Sequence, residues 1–137
     1  MTKLNKIEGL GAVMAQKLAM QNIKTLEDVL AICKTSDDRR ALARKLGVTT
    51  RHVDHLVALA DLSRVSGIDQ KYAELLFAAH VKSVTELANC QPVELHGQLE
   101  MINSGRRRVK RVPAVSRVEG WVQKAQKLPT VISSVMV

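Results

Sequence analysis

Ile7-Glu8-Gly9-Leu10-Gly11 is the stretch of this 137-residue chain that says most about its fold. Glycine takes positive φ at no steric cost, so two glycines separated by one residue predict a tight turn. The amphipathic run that follows would start a helix at this turn, where bare backbone N–H groups can meet an anion. A similar stretch, Val65-Ser66-Gly67-Ile68-Asp69, lies 58 positions further along the chain.

The two stretches belong to a longer internal match. Five more pairs agree at the same spacing, namely Ala15 with Ala73, Leu18 with Leu76, Ile23 with Val81, Lys24 with Lys82, and Thr25 with Ser83. Self-similarity at a fixed spacing indicates a duplicated supersecondary unit. Apolar-x-Gly-apolar-Gly before an amphipathic run is typical of the hairpin in a helix-hairpin-helix motif, which usually contacts a nucleic-acid backbone. We therefore expect two such units.

Composition indicates a folded helical protein. The chain is 46% hydrophobic, and its Leu, Val and Ala recur at helical spacing without sustained alternation. No run approaches the roughly 20 apolar residues that span a bilayer, and no apolar signal segment precedes the first glycine turn. We expect an all-α cytoplasmic protein that does not contact membranes. Cys33 and Cys90 are interpreted as reduced core thiols that do not pair with each other.

Each unit should contain a hairpin, a helix, a turn and a capped second helix, followed by two further helices. Thr25-Leu26-Glu27-Asp28 and Ser83-Val84-Thr85-Glu86 predict the caps of the second helices. In the first helix, Val13 and Leu18 should face the core. The longer helices are predicted over residues 11–20, 37–46, 50–62, 92–111 and 116–128. We expect a compact helical bundle with subdomains at residues 1–64 and 65–129, and an apolar tail at 130–137.

Positive charge is concentrated near the C-terminal end. The formal charge is +8, of which residues 1–100 carry +1 and residues 101–137 carry +7. The spacing of the internal match grows from 58 to 65 before the last helix, which places an insertion around residues 103–112. This insertion holds five cations: Arg106, Arg107, Arg108, Lys110 and Arg111. They could neutralise several phosphates of a nucleic acid, with little preference for its base sequence. Alternatively, they form a solvated helix end or a contact for an acidic protein.

The hairpins themselves are acidic, which weakens them as phosphate grips. Glu8 stands in the first turn, and Asp69 replaces the second glycine of the second turn, where it could be a helix N-cap. Residues 41–56 also resemble a helix-turn-helix in which Thr50, Arg51, His52 and His55 would begin a recognition helix. The alternative is two short bundle helices joined by a glycine turn. Asp54 and Asp61, which offset the cationic charge, favour that alternative.

No catalytic or metal site is predicted. The four histidines and two cysteines show no closely spaced ligand set, and His52-x-x-His55 alone is a weak metal signal. There is no nucleotide-binding loop and no paired-carboxylate motif. Three aromatic residues are too few for a platform that stacks the bases of single strands. We expect a non-enzymatic protein without cofactors or metal.

The hairpins and four other segments together resemble a known family. The segments are Ile23-Lys24-Thr25, Val81-Lys82-Ser83, Ala60-Asp61-Leu62 and Trp121-Val122-Gln123-Lys124-Ala125. The family is the bacterial and archaeal domain of unknown function 4332, related to helix-hairpin-helix proteins, and the likeness covers Ile7 to Pro129. It implies a compact all-α pair of helix-hairpin-helix units, similar to those of recombinases and of the RNA polymerase alpha C-terminal domain. It implies no activity. More distant relatives suggest DNA binding through Gly9, Leu10 and Gly11.

Two functions from different classes follow. The first is sequence-nonspecific binding of duplex DNA, with the five cations of the insertion on backbone phosphates and the hairpin at Gly9, Leu10 and Gly11 assisting. The second is a protein–protein interaction adaptor or self-associating scaffold, suggested by the acidic hairpins and the apolar tail.

Overall fold

The computed structural model describes residues 12–133, and these residues contain eight α-helices and no β-strand element. The all-α class is therefore confirmed. In chain order the helices are α1 (Ala12–Met20), α2 (Leu26–Ile32), α3 (Ser36–Leu46), α4 (Thr50–Leu62), α5 (Gln70–Ala78), α6 (Val84–Ala88), α7 (Pro92–Gly105) and α8 (Val115–Gln126). The hairpin at Gly9, Leu10 and Gly11 lies outside the described residues, as do residues 134–137.

The turn between α1 and α2 and the turn between α5 and α6 have the same hydrogen bonds. In the first turn, the Ile23 N–H donates to the Leu18 carbonyl at 2.9 Å. In the second, the Val81 N–H donates to the Leu76 carbonyl, also at 2.9 Å. Each turn also contains a non-glycine residue with positive φ, and these residues are Asn22 (61°) and His80 (66°).

Both helices that follow these turns begin at the predicted caps. Thr25 Oγ1 accepts the Asp28 N–H, and Asp28 Oδ2 accepts the Thr25 N–H, which is the reciprocal arrangement of a capping box. Ser83 Oγ accepts the Glu86 N–H, while Glu86 Oε1 accepts the N–H of Lys82. The side chains thus supply the hydrogen bonds that the first turn of each helix lacks.

Glycine and threonine separate α3 from α4 as the sequence predicts. Gly47 ends α3 with φ of 70°, a left-handed conformation that glycine adopts without strain. Thr49 then caps α4, because its side chain accepts the His52 N–H. The two predictions at this connection are confirmed.

The structure corrects the prediction of a helix over residues 92–111. Helix α7 ends at Gly105. Val109 is buried, but it lies in the irregular chain after the helix and does not belong to an apolar stripe on the helix. The Asn103 side chain accepts the N–H groups of Arg108 and Val109, which gives these amides partners that a continuing helix would have supplied. The chain turns away there and re-enters a helix at Val115, beyond Pro113.

The apolar side chains of the described residues form two clusters. One is built around Leu18, Val29 and Val53, and the other around Leu76 and Trp121. Helix α4 contributes side chains to both clusters and packs against α2, α3 and α5. The division into subdomains 1–64 and 65–129, with a tail at 130–137, stays a prediction.

One expected core residue is exposed. Val13 on α1 leaves 68% of its surface in solvent, so the prediction that it faces inward is wrong. Met14 is buried in its place, four positions before Leu18. Residues four apart lie on the same face of a helix, so Met14 and Leu18 define the buried face and Val13 lies off it.

Buried charge and the end of the chain hold the first half together. The Arg39 guanidinium is buried and lies 3.0 Å from the Asp54 carboxylate. It also donates to the Cys33 carbonyl and to the Ser133 hydroxyl. Ile132 is buried in the first cluster, and the Ser133 N–H donates to the Lys34 carbonyl at 2.8 Å. Residues 131–133 of the predicted tail therefore pack against the N-terminal half.

Cys33 and Cys90 are free thiols, and each packs with a different apolar cluster. Cys33 is fully buried, whereas Cys90 is half-buried. Burial raises the pKa of Cys33 to about 11, because the thiolate loses its hydration. Burial, and then the Glu86 carboxylate, raises the pKa of Cys90.

Candidate nucleic-acid interface

Residues 106–111, the basic segment, form an irregular connection between α7 and α8. Val109 is buried and fixes the segment to the second apolar cluster. The cationic residues point away from that cluster: Arg106, Arg107, Lys110 and Arg111 are exposed and Arg108 is half-buried. The segment thus presents its charge on the surface while its one apolar residue is anchored.

Asn103 holds the backbone of the basic segment in place. Its Oδ1 accepts the N–H of Arg108 at 2.8 Å and that of Val109 at 3.1 Å, and its Nδ2 donates to the Val109 carbonyl at 3.0 Å. The Arg107 guanidinium also donates to the Lys110 carbonyl at 2.9 Å. These bonds give an irregular chain a defined shape and fix the backbone that carries the cations.

Two guanidinium groups of the basic segment donate to the protein backbone rather than to acids. Of the ion pairs formed within residues 12–133, none uses a cation of this segment. The guanidinium groups of Arg107 and Arg108 donate instead to backbone carbonyls, which satisfies N–H groups but cancels no formal charge. The segment therefore keeps a high density of positive charge, as an anionic partner requires.

A first groove, of about 440 Å³, separates the basic segment from the start of α5. Lys71 and Tyr72 line its α5 side, and Arg107, Arg108, Val109, Lys110 and Arg111 line the other. Asp69 also lines the groove, but its carboxylate accepts the Tyr72 N–H at 2.9 Å and so caps α5. The interpretation of Asp69 as an N-cap is confirmed.

The turn at residues 65–69 lies beside this groove but has little free anion-binding capacity. Gly67 takes φ of 96°, the left-handed conformation expected of a glycine in a tight turn. The Asp69 carboxylate already occupies the start of α5, where a phosphate would otherwise meet the helix N-terminus. Lys124 donates to the Ser66 carbonyl and ties this turn to α8.

Tyr72 fixes α5 against α8 at the edge of the first groove. The centroids of the Tyr72 and Trp121 rings lie 5.3 Å apart, and the two rings are tilted relative to each other. The Arg117 guanidinium carbon lies 5.2 Å from the Tyr72 ring centroid, which is within reach of a cation–π interaction. The groove wall is therefore built on two packed helices and a short pinned segment.

A second groove, of about 400 Å³, lies on the other side of Arg108. It runs between the basic segment, α5 and the turn after α5, and its lining residues are His55, Glu74, Phe77, Ala78, His80, Lys82, Arg106 and Arg108. Because Arg108 lines both grooves, the two are adjacent parts of one surface.

The acid in the second groove is held by a histidine. His55 Nε2 and Glu74 Oε1 lie 2.5 Å apart, and each side chain is 37% exposed. The His55 ring packs against the Phe77 ring with centroids 4.5 Å apart, and Lys82 Nζ lies 5.9 Å from the centre of the same ring. The pair joins α4 to α5, and the same groove is lined by three cationic residues: Lys82, Arg106 and Arg108.

The interior position of α4 favours the architectural interpretation of residues 41–56. Val53 and residues 56–62 of α4 are buried, and Asp54 pairs with Arg39. Arg51 and His52 at its start are exposed, whereas His55 is engaged by Glu74. A helix buried over most of its length cannot enter a major groove along its axis.

The structure brings the five predicted cations of the insertion together on one surface. It also adds Lys71, Lys82 and the His55–Glu74 pair, which the sequence reasoning did not include. Neither Lys71 nor Lys82 stands in a charge run, so only packing reveals them. Asn103 carried a usable signal, because asparagine before serine and glycine is typical of the end of a helix.

Residues 12–133 contain no group of three or more His, Cys, Asp or Glu side chains that could hold a metal ion. Across the same residues, no helix is long and apolar enough to span a bilayer.

Comparison with protein-family models matched residues 8–128 to a family described as Domain of unknown function (DUF4332). No curated protein and no solved structure matched the chain significantly.

Proposed function

The chain belongs to the family described as Domain of unknown function (DUF4332), and we propose that it is a non-enzymatic cytoplasmic protein that binds duplex DNA. It binds backbone phosphates without strong sequence specificity. Arg106, Arg107, Arg108, Lys110 and Arg111 hold the phosphates, and the hairpin at Gly9, Leu10 and Gly11 assists. The observation that carries this proposal is the exposed charge of the pinned basic segment, which lies between two grooves and forms no ion pair within residues 12–133.

The fold element behind this proposal is a tandem pair of helix-hairpin-helix units produced by internal duplication. The matching hydrogen bonds of the turns after α1 and α5, and the caps that follow them, support the duplication. In the second unit Asp69 occupies the helix start that a phosphate would use, so the hairpin alone is a poor grip. The basic segment supplies the charge that this hairpin lacks.

Counterion release sets the expected salt dependence. Five cations that each neutralise one phosphate of B-DNA give a log–log salt slope of about −4.5. Raising salt from 50 to 200 mM should then weaken binding by two to three orders of magnitude, on the order of the losses known for such interfaces. Two duplexes of unrelated sequence should bind almost equally, because phosphate contacts carry no base information.

Fluorescence anisotropy of a labelled duplex, titrated with the full chain at several salt concentrations, tests the proposal. Arg108→Ala should reduce the magnitude of the salt slope by about 1, since one phosphate contact is lost. Arg44→Ala is the matched control, because Arg44 is exposed on α3 in the other half of the chain. Absence of binding at low salt, or binding insensitive to salt, would overturn the proposal.

The second candidate function is a protein–protein adaptor or self-associating scaffold. Exposed apolar side chains favour it: Val93 and Met101 on α7 are 71% and 75% exposed. They lie eight residues apart, a spacing that falls within one helical stripe. Light scattering of the full chain and of a Val93→Ser, Met101→Ser variant tests self-association, which the double substitution should abolish.

A further inference from the structure

We infer that the second groove is a separate phosphate-binding position, and that Glu74 weakens the binding of phosphate there. The inference rests on the proposed function, because the phosphates belong to the DNA backbone. It adds a site that the basic segment alone does not define.

Cations from two parts of the fold converge on the second groove. Arg106 and Arg108 come from the basic segment, and Lys82 comes from the turn after α5. A convergent set of cations on a fixed scaffold is the arrangement that holds a phosphate, since each ion contributes charge and N–H donors. The cavity of about 400 Å³ leaves room for such a group.

Glu74 is the one carboxylate among the described residues that line the second groove. Its Oε1 is held 2.5 Å from His55 Nε2, which keeps the carboxylate at the groove wall. A carboxylate there repels an incoming phosphate over a distance that water and salt screen only in part. The native affinity of the groove is therefore lower than its cations alone would give.

Arg108 makes the two grooves one path for a nucleic-acid strand. It lines both, whereas Arg107 lines the first only and Arg106 the second only. Phosphates repeat along a strand, so a backbone that crosses Arg108 can place one phosphate in each groove. The second groove thus extends the interface from the basic segment to the turn after α5.

Removal of the Glu74 charge gives the sharpest test. Glu74→Gln keeps an oxygen that can accept a hydrogen bond from His55 and changes no backbone contact. We expect duplex affinity at 50 mM salt to rise about two- to fivefold, the range for losing one repulsive charge near a phosphate at the surface. The gain should shrink at 200 mM salt, because screening shortens the reach of the charge.

Glu94→Gln is the matched control, since it changes the net charge of the chain by the same amount. Glu94 is exposed in the first turn of α7, eleven residues before Gly105. Eleven residues of helix rise about 16 Å, which exceeds the Debye length of roughly 10 Å at 0.1 M salt. This variant should leave duplex affinity within the experimental error of the wild type.

Single-arginine variants separate the two grooves. Arg106→Ala and Arg107→Ala should each lower the salt slope by about 1. Circular dichroism and thermal unfolding of every variant check that the fold is kept. The inference is overturned if Arg107→Ala weakens binding while Arg106→Ala and Glu74→Gln have no more effect than their controls, Arg44→Ala and Glu94→Gln. The proposed function survives that result. A wild-type chain that does not bind duplex at 50 mM salt overturns both.

Discussion

The turn after α1 and the turn after α5 share their backbone hydrogen bonds but lie beside grooves of different chemistry. The groove beside the first turn, about 210 Å³, is lined mostly by uncharged residues such as Ile23 and Ile32, with one acid and one lysine. The groove beside the second turn contains Lys82, Arg106 and Arg108. The same backbone turn can therefore serve packing in one half and face an anion-binding surface in the other.

The source of the difference is the connection between the last two helices of each half. Three residues, 47–49, join α3 to α4, whereas nine residues, 106–114, join α7 to α8. The longer connection contains the basic segment and reaches back to α5 and its turn. The charge thus lies in a loop, which tolerates polar residues on its exposed side while Val109 packs in the second apolar cluster.

The largest expected effect concerns the buried ion pair of the first half. Arg39→Ala should lower the free energy of unfolding by roughly 3–5 kcal/mol, because it leaves the largely buried Asp54 carboxylate without its partner. Urea denaturation measures the loss. Arg40→Ala, at the neighbouring exposed position, is the control and should cost less than about 1 kcal/mol. Equal losses in the two variants would contradict the assigned role of Arg39.

Leu18 and Leu76 test whether the two halves are equally well packed. Both side chains are fully buried, at positions 58 residues apart, and each belongs to a different apolar cluster. Either Leu→Ala change should cost about 2–5 kcal/mol of unfolding free energy through lost burial and a residual cavity. Losses that differ by more than about 2 kcal/mol would break the comparison, since positions built alike should relax alike.

Asn103→Ala sharpens the comparison by altering the shape of the basic segment without changing its charge. Two amide N–H groups and one carbonyl lose their side-chain partner, which should cost about 1–3 kcal/mol of stability. Duplex affinity, followed by anisotropy, should also fall. Asn89→Ala, which removes a single exposed hydrogen bond to Thr85, is the control. Unchanged affinity in Asn103→Ala would show that charge alone, and not its placement, determines binding.

The smallest expected effect concerns the positive-φ residues of the two turns. His80→Gly should stabilise the fold by up to about 1 kcal/mol, because glycine adopts this conformation without strain. The greater conformational entropy that glycine gives the unfolded chain offsets part of this gain. Asn22→Gly should gain less, since asparagine tolerates the left-handed region better than most residues. Thermal unfolding compares them, and a larger gain at Asn22 would reverse the expected order.

Local features could be predicted because their hydrogen bonds close within a few residues. The caps at Thr25, Ser83 and Thr49 and the glycine at Gly47 lie where the sequence places them. The predicted end of this helix, at residue 111, was wrong because the apolar spacing continues to Val109, beyond the end of α7 at Gly105. Its burial comes from tertiary packing of an irregular segment, which periodicity cannot distinguish from a helical stripe.

The sequence by itself determined the all-α class, the capped turns and the concentration of charge in residues 106–111, because these depend on neighbouring residues and on composition. Tertiary structure alone decided that the basic segment faces α5, that Glu74 is held by His55, and that residues 131–133 return to the first half. Such contacts join residues far apart in the chain. Their geometry follows from how whole helices bury their apolar faces, and no local pattern records it.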